Sequence, residues 1–130
     1  DSGYRGAARL AAHEFFHLWN VKRIRDRELF PFAYDGEVYP ELLWFHEGVT
    51  ETMESRAVLS AGMNDAEGYL RDLARSYGEY RRRAGSDKES LVQISRDAWI
   101  KQYQPASSHR NETISYYEKG MLAGVALDLE

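Results

Sequence analysis

Apolar residues recur along the chain at helical spacing, and Gly, Pro and cap residues divide them into segments. Tyr4 to Ala12 is an alanine-rich run, and Ala12, Phe16 and Trp19 recur on one face of it. A first helix with those three residues in the core is therefore expected. Pro40 suits a first helical turn, while Leu43 and Trp44 give a second helix its buried face, and Gly62 can stop it. Asn64 followed by Glu67 resembles a capping pair for a third helix that reaches Arg83, with Gly85 to end it. Leu91 to Ile94 and Ala98 to Ile100 predict a shorter helix near 90–102. Pro105 to Arg110 reads as a polar loop, and Asn111 as the cap of a final helix toward Glu130. Residues 25–39, with Pro31, Gly36 and several aromatics, predict an irregular connection between the first two helices. No repeat and no β-rich stretch breaks this pattern, so the fold class is mainly α.

A chain of 130 residues allows a single domain, residues 1–130, with a modest core. Its net charge of −4 comes from interspersed residues of both signs, which favours neither nucleic acid nor an anionic membrane as partner. The basic clusters Lys22-Arg23-Ile24-Arg25 and Arg81-Arg82-Arg83 are short. The second falls at a helix end, where cations complement the dipole, and reads as a solvated face. No apolar run reaches the roughly 18 residues of a membrane span, and no signal peptide is visible. With no cysteine, disulfides and thiolate metal sites are excluded, while cytoplasm and periplasm both stay open. Asn111-Glu112-Thr113 matches the short glycosylation pattern.

The chemistry concentrates in His13-Glu14-Phe15-Phe16-His17. In a helix, two histidines four residues apart project from one face, about 40° apart around the axis and about 6 Å along it. Two imidazoles so placed can share a zinc ion. Glu14 lies too far around the helix to join them as a ligand, but it can lean toward a water at the metal as a general base. Burying two imidazoles and a carboxylate in one turn without a metal would be costly. A catalytic zinc site takes three protein ligands, and here the third must be His, Asp or Glu. Glu47 is the best candidate, entering from the second helix. Glu51 lies on the same face: it either accepts a hydrogen bond from the far nitrogen of a ligand histidine or is a solvated helix carboxylate. His46 points elsewhere and reads as a packing or surface residue.

His13-Glu14-Phe15-Phe16-His17-Leu18-Trp19-Asn20-Val21-Lys22-Arg23-Ile24 resembles the active-site signature of the glycyl aminopeptidase family of zinc peptidases. Leu43-Trp44-Phe45-His46-Glu47-Gly48-Val49-Thr50 is similar to that family's third-ligand segment, and Ser115-Tyr116-Tyr117-Glu118-Lys119-Gly120 to its third block. His46 stands where the family pattern leads one to expect a small residue. The resemblance implies Zn2+, one per chain, on His13, His17 and Glu47, with Glu14 as base. It also implies that Tyr117 hydrogen-bonds the oxyanion of the tetrahedral intermediate, with Lys119 and Gly120 completing the motif. A phenol is a neutral donor suited to that task. Tyr116 takes the role if the register slips by one residue, and otherwise reads as an amphipathic core residue.

The fold implied is the helical half of a thermolysin-like peptidase, excised from a longer chain. The β-containing half, an upstream glutamate-bearing segment and a PDZ-like domain would then lie elsewhere in the parent protein. The function implied is zinc-dependent hydrolysis of a peptide substrate, as an aminopeptidase releasing small amino-terminal residues such as Gly or Ala. An endopeptidase of the same chemistry and a non-catalytic zinc-stabilised scaffold are the alternatives. The scaffold needs neither base nor tyrosine and would close its fourth position with protein, for which His109 is a candidate, although a loop histidine more often sits at the surface.

Overall fold

The computed structural model describes residues 2–83, 86–102 and 114–130. Helix α1 (Ser2–Phe16) leads into a tight turn, and a long connection without helix follows. A wide π-helical turn, Trp44–Val49, then runs directly into α2 (Thr50–Ser60). Helix α3 (Ala66–Arg82) is followed by two short helices, α4 (Leu91–Arg96) and α5 (Ala98–Lys101), and by the last helix, α6 (Tyr116–Asp128). Among the described residues there is no strand, only an isolated bridge between Asn20 and Ile24. The fold is mainly α, as the sequence pattern predicts.

Local chemistry sets most boundaries. Gly62 takes a φ of +69° just past α2, a left-handed conformation that costs glycine nothing. The cap of α3 is Asp65, whose Oδ1 accepts the Gly68 N–H at 2.7 Å, and not Asn64. Its side chain sits one residue nearer the orphan amides of the first turn. The expected helix near 90–102 is broken at Asp97 into α4 and α5. Ser115 caps α6 by accepting from the Tyr117 N–H at 3.2 Å. Gly85, the loop at 105–110, His109 and Asn111 with its glycosylation pattern fall outside the described residues.

The core is small. Ile94, Ala98 and Tyr116 are buried at its centre, and Leu43, Trp44, Leu91 and Tyr117 pack around them. Ala12 and Phe16 are partly buried, but Trp19 is 41% exposed, contrary to the sequence expectation. The chain leaves the helix after Phe16, so the helical spacing that put Trp19 beneath it no longer applies. Arg81 and Arg82 are solvated, whereas Arg83 pairs with Glu118 of α6 at 3.1 Å.

Helix α6 lies most intimately against the π turn, and two glycines explain how. A Cβ on Gly48 would collide with the backbone of Gly120 and Met121, and one on Gly120 with the carbonyl of Trp44. The two segments therefore meet backbone to backbone, with no flexible side chain able to give way. Thr52 ties the contact by donating to the Met121 carbonyl at 3.0 Å. This approach brings the first turn of α6, and so Tyr117, over the end of α1. Replacing Gly48 with Ala is expected to destabilise the protein by at least about 3 kcal/mol, since overpacking here cannot relax through side chains. A urea unfolding midpoint equal to that of the parent would contradict the backbone contact.

Candidate metal centre

Three side chains from two segments converge at the end of α1. The Nε2 atoms of His13 and His17 lie 3.1 and 3.4 Å from the same oxygen, Oε2 of Glu47. One ligand atom from each of the three falls within 4.8 Å of the others. The two imidazoles meet edge to face with centroids 4.7 Å apart. Metal–ligand bonds of about 2.0–2.1 Å in a tetrahedron require ligand atoms about 3.4 Å apart, so the spacing suits zinc.

The far side of each ring decides the tautomer. His13 Nδ1 donates to Glu54 Oε2 at 3.0 Å, and His17 Nδ1 donates to the Asn20 carbonyl at 3.0 Å. Carboxylate and carbonyl oxygens only accept, which leaves each Nε2 its lone pair on the Glu47 side. This is the arrangement expected of ligand histidines held by outer partners.

Glu54 is the residue that sequence reasoning missed. The sequence leaves Glu51 open between a histidine partner and a solvated carboxylate, and the hydrogen bond to His13 is made by Glu54 instead. Glu54 is buried; one oxygen accepts from His13 and the other from Arg9 Nε at 2.8 Å. Arg9 reaches on to Ser55 at 3.3 Å. The signal was present: Glu54 follows Glu47 by seven residues, two turns of helix, and Arg9 precedes His13 by four. Helical spacing puts both Glu51 and Glu54 near the Glu47 face, and the structure turns Glu54 to His13.

Glu51 is partly buried nearby, and burial pushes its pKa up to about 7. The neighbouring Glu54 carboxylate adds to the rise, while Arg9 and His13 oppose it. Glu14 is exposed on α1, next to His13 and three residues before His17. Tyr117 is partly buried, its ring stacked near His13 with centroids 6.3 Å apart, whereas Tyr116 is buried in the core at 1% exposure. The two tyrosines thus part company, one toward the histidines and one toward the core.

Behind His17 and Glu47 lies a buried polar lattice. The Asn20 amide donates to the carbonyls of Phe45 and His46 at 3.0 and 3.2 Å and to Thr50 Oγ1 at 3.0 Å. Its oxygen accepts from His46 Nδ1 at 2.9 Å. His46 is therefore a buried packing residue, and burial lowers its pKa. Val21, next to Asn20, has a φ of +116°, an unfavourable conformation for a β-branched residue, which persists only where surrounding contacts fix the chain.

The profile of the M61 glycyl aminopeptidase family matches residues 7–123, which include all of these groups. The chain belongs to that family. A solved structure of an aminopeptidase N family protein from Idiomarina loihiensis is similar, with a TM-score of 0.92 and 34% identity. The likeness covers 99% of this chain and 22% of that one, so the chain spans about a fifth of that relative's length. No match emerged among curated proteins.

Two measurements test the outer partners in this M61 domain. Glu54→Gln is expected to weaken zinc binding 10–100-fold in chelator competition, with Glu51→Gln costing much less; the reverse order would contradict the assignment of Glu54. The raised pKa of Glu51 means that the folded, metal-free protein holds a proton there between about pH 4.5 and about 7 that the unfolded chain has lost. Stability of the metal-free protein therefore falls as pH rises through that window. Glu51→Gln should flatten the fall and leave the variant more stable by roughly 2 kcal/mol near pH 8. A pH profile of unfolding identical to the parent's would refute this.

Proposed function

We propose that this chain carries the metal centre and reacting groups of a zinc aminopeptidase that releases small amino-terminal residues such as Gly or Ala. The observation that carries the reading is the convergence of His13, His17 and Glu47, each histidine with its other nitrogen already engaged. Membership of the M61 family and the aminopeptidase likeness support the reaction class.

In this reading His13, His17 and Glu47 hold one zinc ion. Zinc there supplies Lewis acidity, polarising the scissile carbonyl and acidifying water. Glu14, exposed on α1, accepts the proton of the attacking water and passes it to the departing amine. Tyr117 donates its phenolic hydrogen where negative charge develops on the carbonyl oxygen. The stacking of its ring near His13, with centroids 6.3 Å apart, supports that role. Glu54 and Asn20 hold the imidazoles in one tautomer so that neither ring turns its N–H toward the centre.

The full-length protein should bind about one zinc, and His13→Ala or His17→Ala should abolish tight binding. Zinc content unchanged in both variants would overturn the ligand set. Glu14→Gln should keep the metal and lose about 10²–10⁴ in kcat, because the amide cannot accept the proton. Tyr117→Phe should also keep the metal, with kcat on a Gly- or Ala-linked chromogenic substrate lower by about 10²–10³. A larger loss from Tyr116→Phe at equal folded fraction would show that the oxyanion role belongs to the neighbouring tyrosine.

A further inference from the structure

We propose that Asn20 is a positioning residue for the metal centre, holding the wide turn that carries Glu47 while its backbone carbonyl fixes His17. The inference rests on the zinc-site reading and extends it to a residue outside the ligand set.

The widened turn creates a need that Asn20 meets. Over Trp44–Val49 the helix is π, with bonds that reach one residue further than in an α-helix, and it hands over to α-helix at Thr50. π-helical geometry is much rarer than α-helical, so without outside support the turn has an incentive to tighten into α-helix. One residue of an α-helix is about 100° of rotation, so tightening would swing Glu47 around the axis relative to α2 and away from the imidazoles. Asn20 removes that incentive. Its amide donates to both the Phe45 and the His46 carbonyls, immediately before Glu47, and to Thr50 Oγ1 immediately after the turn. Thr50, fully buried, in turn donates its hydroxyl to the His46 carbonyl.

The same residue acts on α1's side of the site. Its carbonyl accepts from His17 Nδ1, and its side chain is locked by His46 Nδ1 on the other side. At 2% exposure it has no freedom to turn. Asn20 therefore links the second ligand to the third through one rigid residue: a displaced amide moves the Glu47 turn, and a displaced carbonyl releases the His17 ring. A core asparagine that served stability alone would show no such convergence on the two ligand segments.

The test uses the full-length protein, with zinc affinity read by chelator competition and site geometry by the visible spectrum of the cobalt-substituted form. Asn20→Asp keeps the shape and the acceptor but replaces the donors with oxygen, and Thr50→Val removes the linking hydroxyl at constant shape. Val58→Ala, a buried change in α2 away from the turn, serves as the destabilised control. Asn20→Asp and Thr50→Val should raise the zinc dissociation constant about 10–100-fold and alter the cobalt spectrum, the scale of other partners behind metal ligands. Val58→Ala should lower Tm without either effect. If Asn20→Asp fails to fold, Thr50→Val alone decides. Zinc affinity within about twofold of the parent in the folded variants, or an equal loss in Val58→Ala, would overturn the positioning role. Failure of the parent itself to bind zinc would instead overturn the metal-site reading.

Discussion

One constraint organises this molecule: a carboxylate carried by the second helical segment must reach two imidazoles carried by the first. Glu47 reaches both because its turn is wider than an α-helix and is pressed against α6 with no side chain between. The wide turn sets the direction of the carboxylate, and the Gly48–Gly120 contact sets its depth. That contact also brings Tyr117 beside His13. Ligand geometry and the place of the tyrosine are thus two consequences of one backbone approach.

The polar interior follows from that arrangement. Three carboxylates, Glu47, Glu51 and Glu54, gather near His13 with Arg9 as their cationic neighbour. Glu54 is satisfied twice over by Arg9 and His13, while Glu51 is left short of charge partners and its pKa rises to about 7. A dication held by Glu47 and the two imidazoles, as proposed, would complement this excess of negative charge. On the opposite side, Asn20 hydrogen-bonds His46, Thr50 and the backbone of the wide turn, which helps that turn persist in a buried setting.

Much of this was legible in the residues. Histidines four apart on a helix announce their shared face, and apolar spacing with Gly62 locates the helices around them. Gly48 and Gly120 stood within the family motifs, although their mutual contact did not, because proximity between positions so distant is a tertiary property. Helix width was equally hidden. An α-helical register puts both Glu51 and Glu54 near the Glu47 face, and only the packing of α2 on α1 makes Glu54 the partner of His13. The remaining misses are local competitions. Asp65 outranked its neighbour Asn64 as a cap, Asp97 divided a helix read as continuous, and Trp19 came to the surface because the chain turns after Phe16. Asn20 carried no sequence signal of its own, since a buried amide is recognised by its partners and those lie in another segment.

The central claim is that His13, His17 and Glu47 form a single zinc centre, and X-ray absorption at the zinc edge of the loaded protein tests it most directly. The account predicts a shell of about four N/O scatterers near 2.0–2.1 Å, with the outer-shell signature of two imidazoles and no more. Three imidazoles, which would bring in His46 or His109, or none at all, would contradict it.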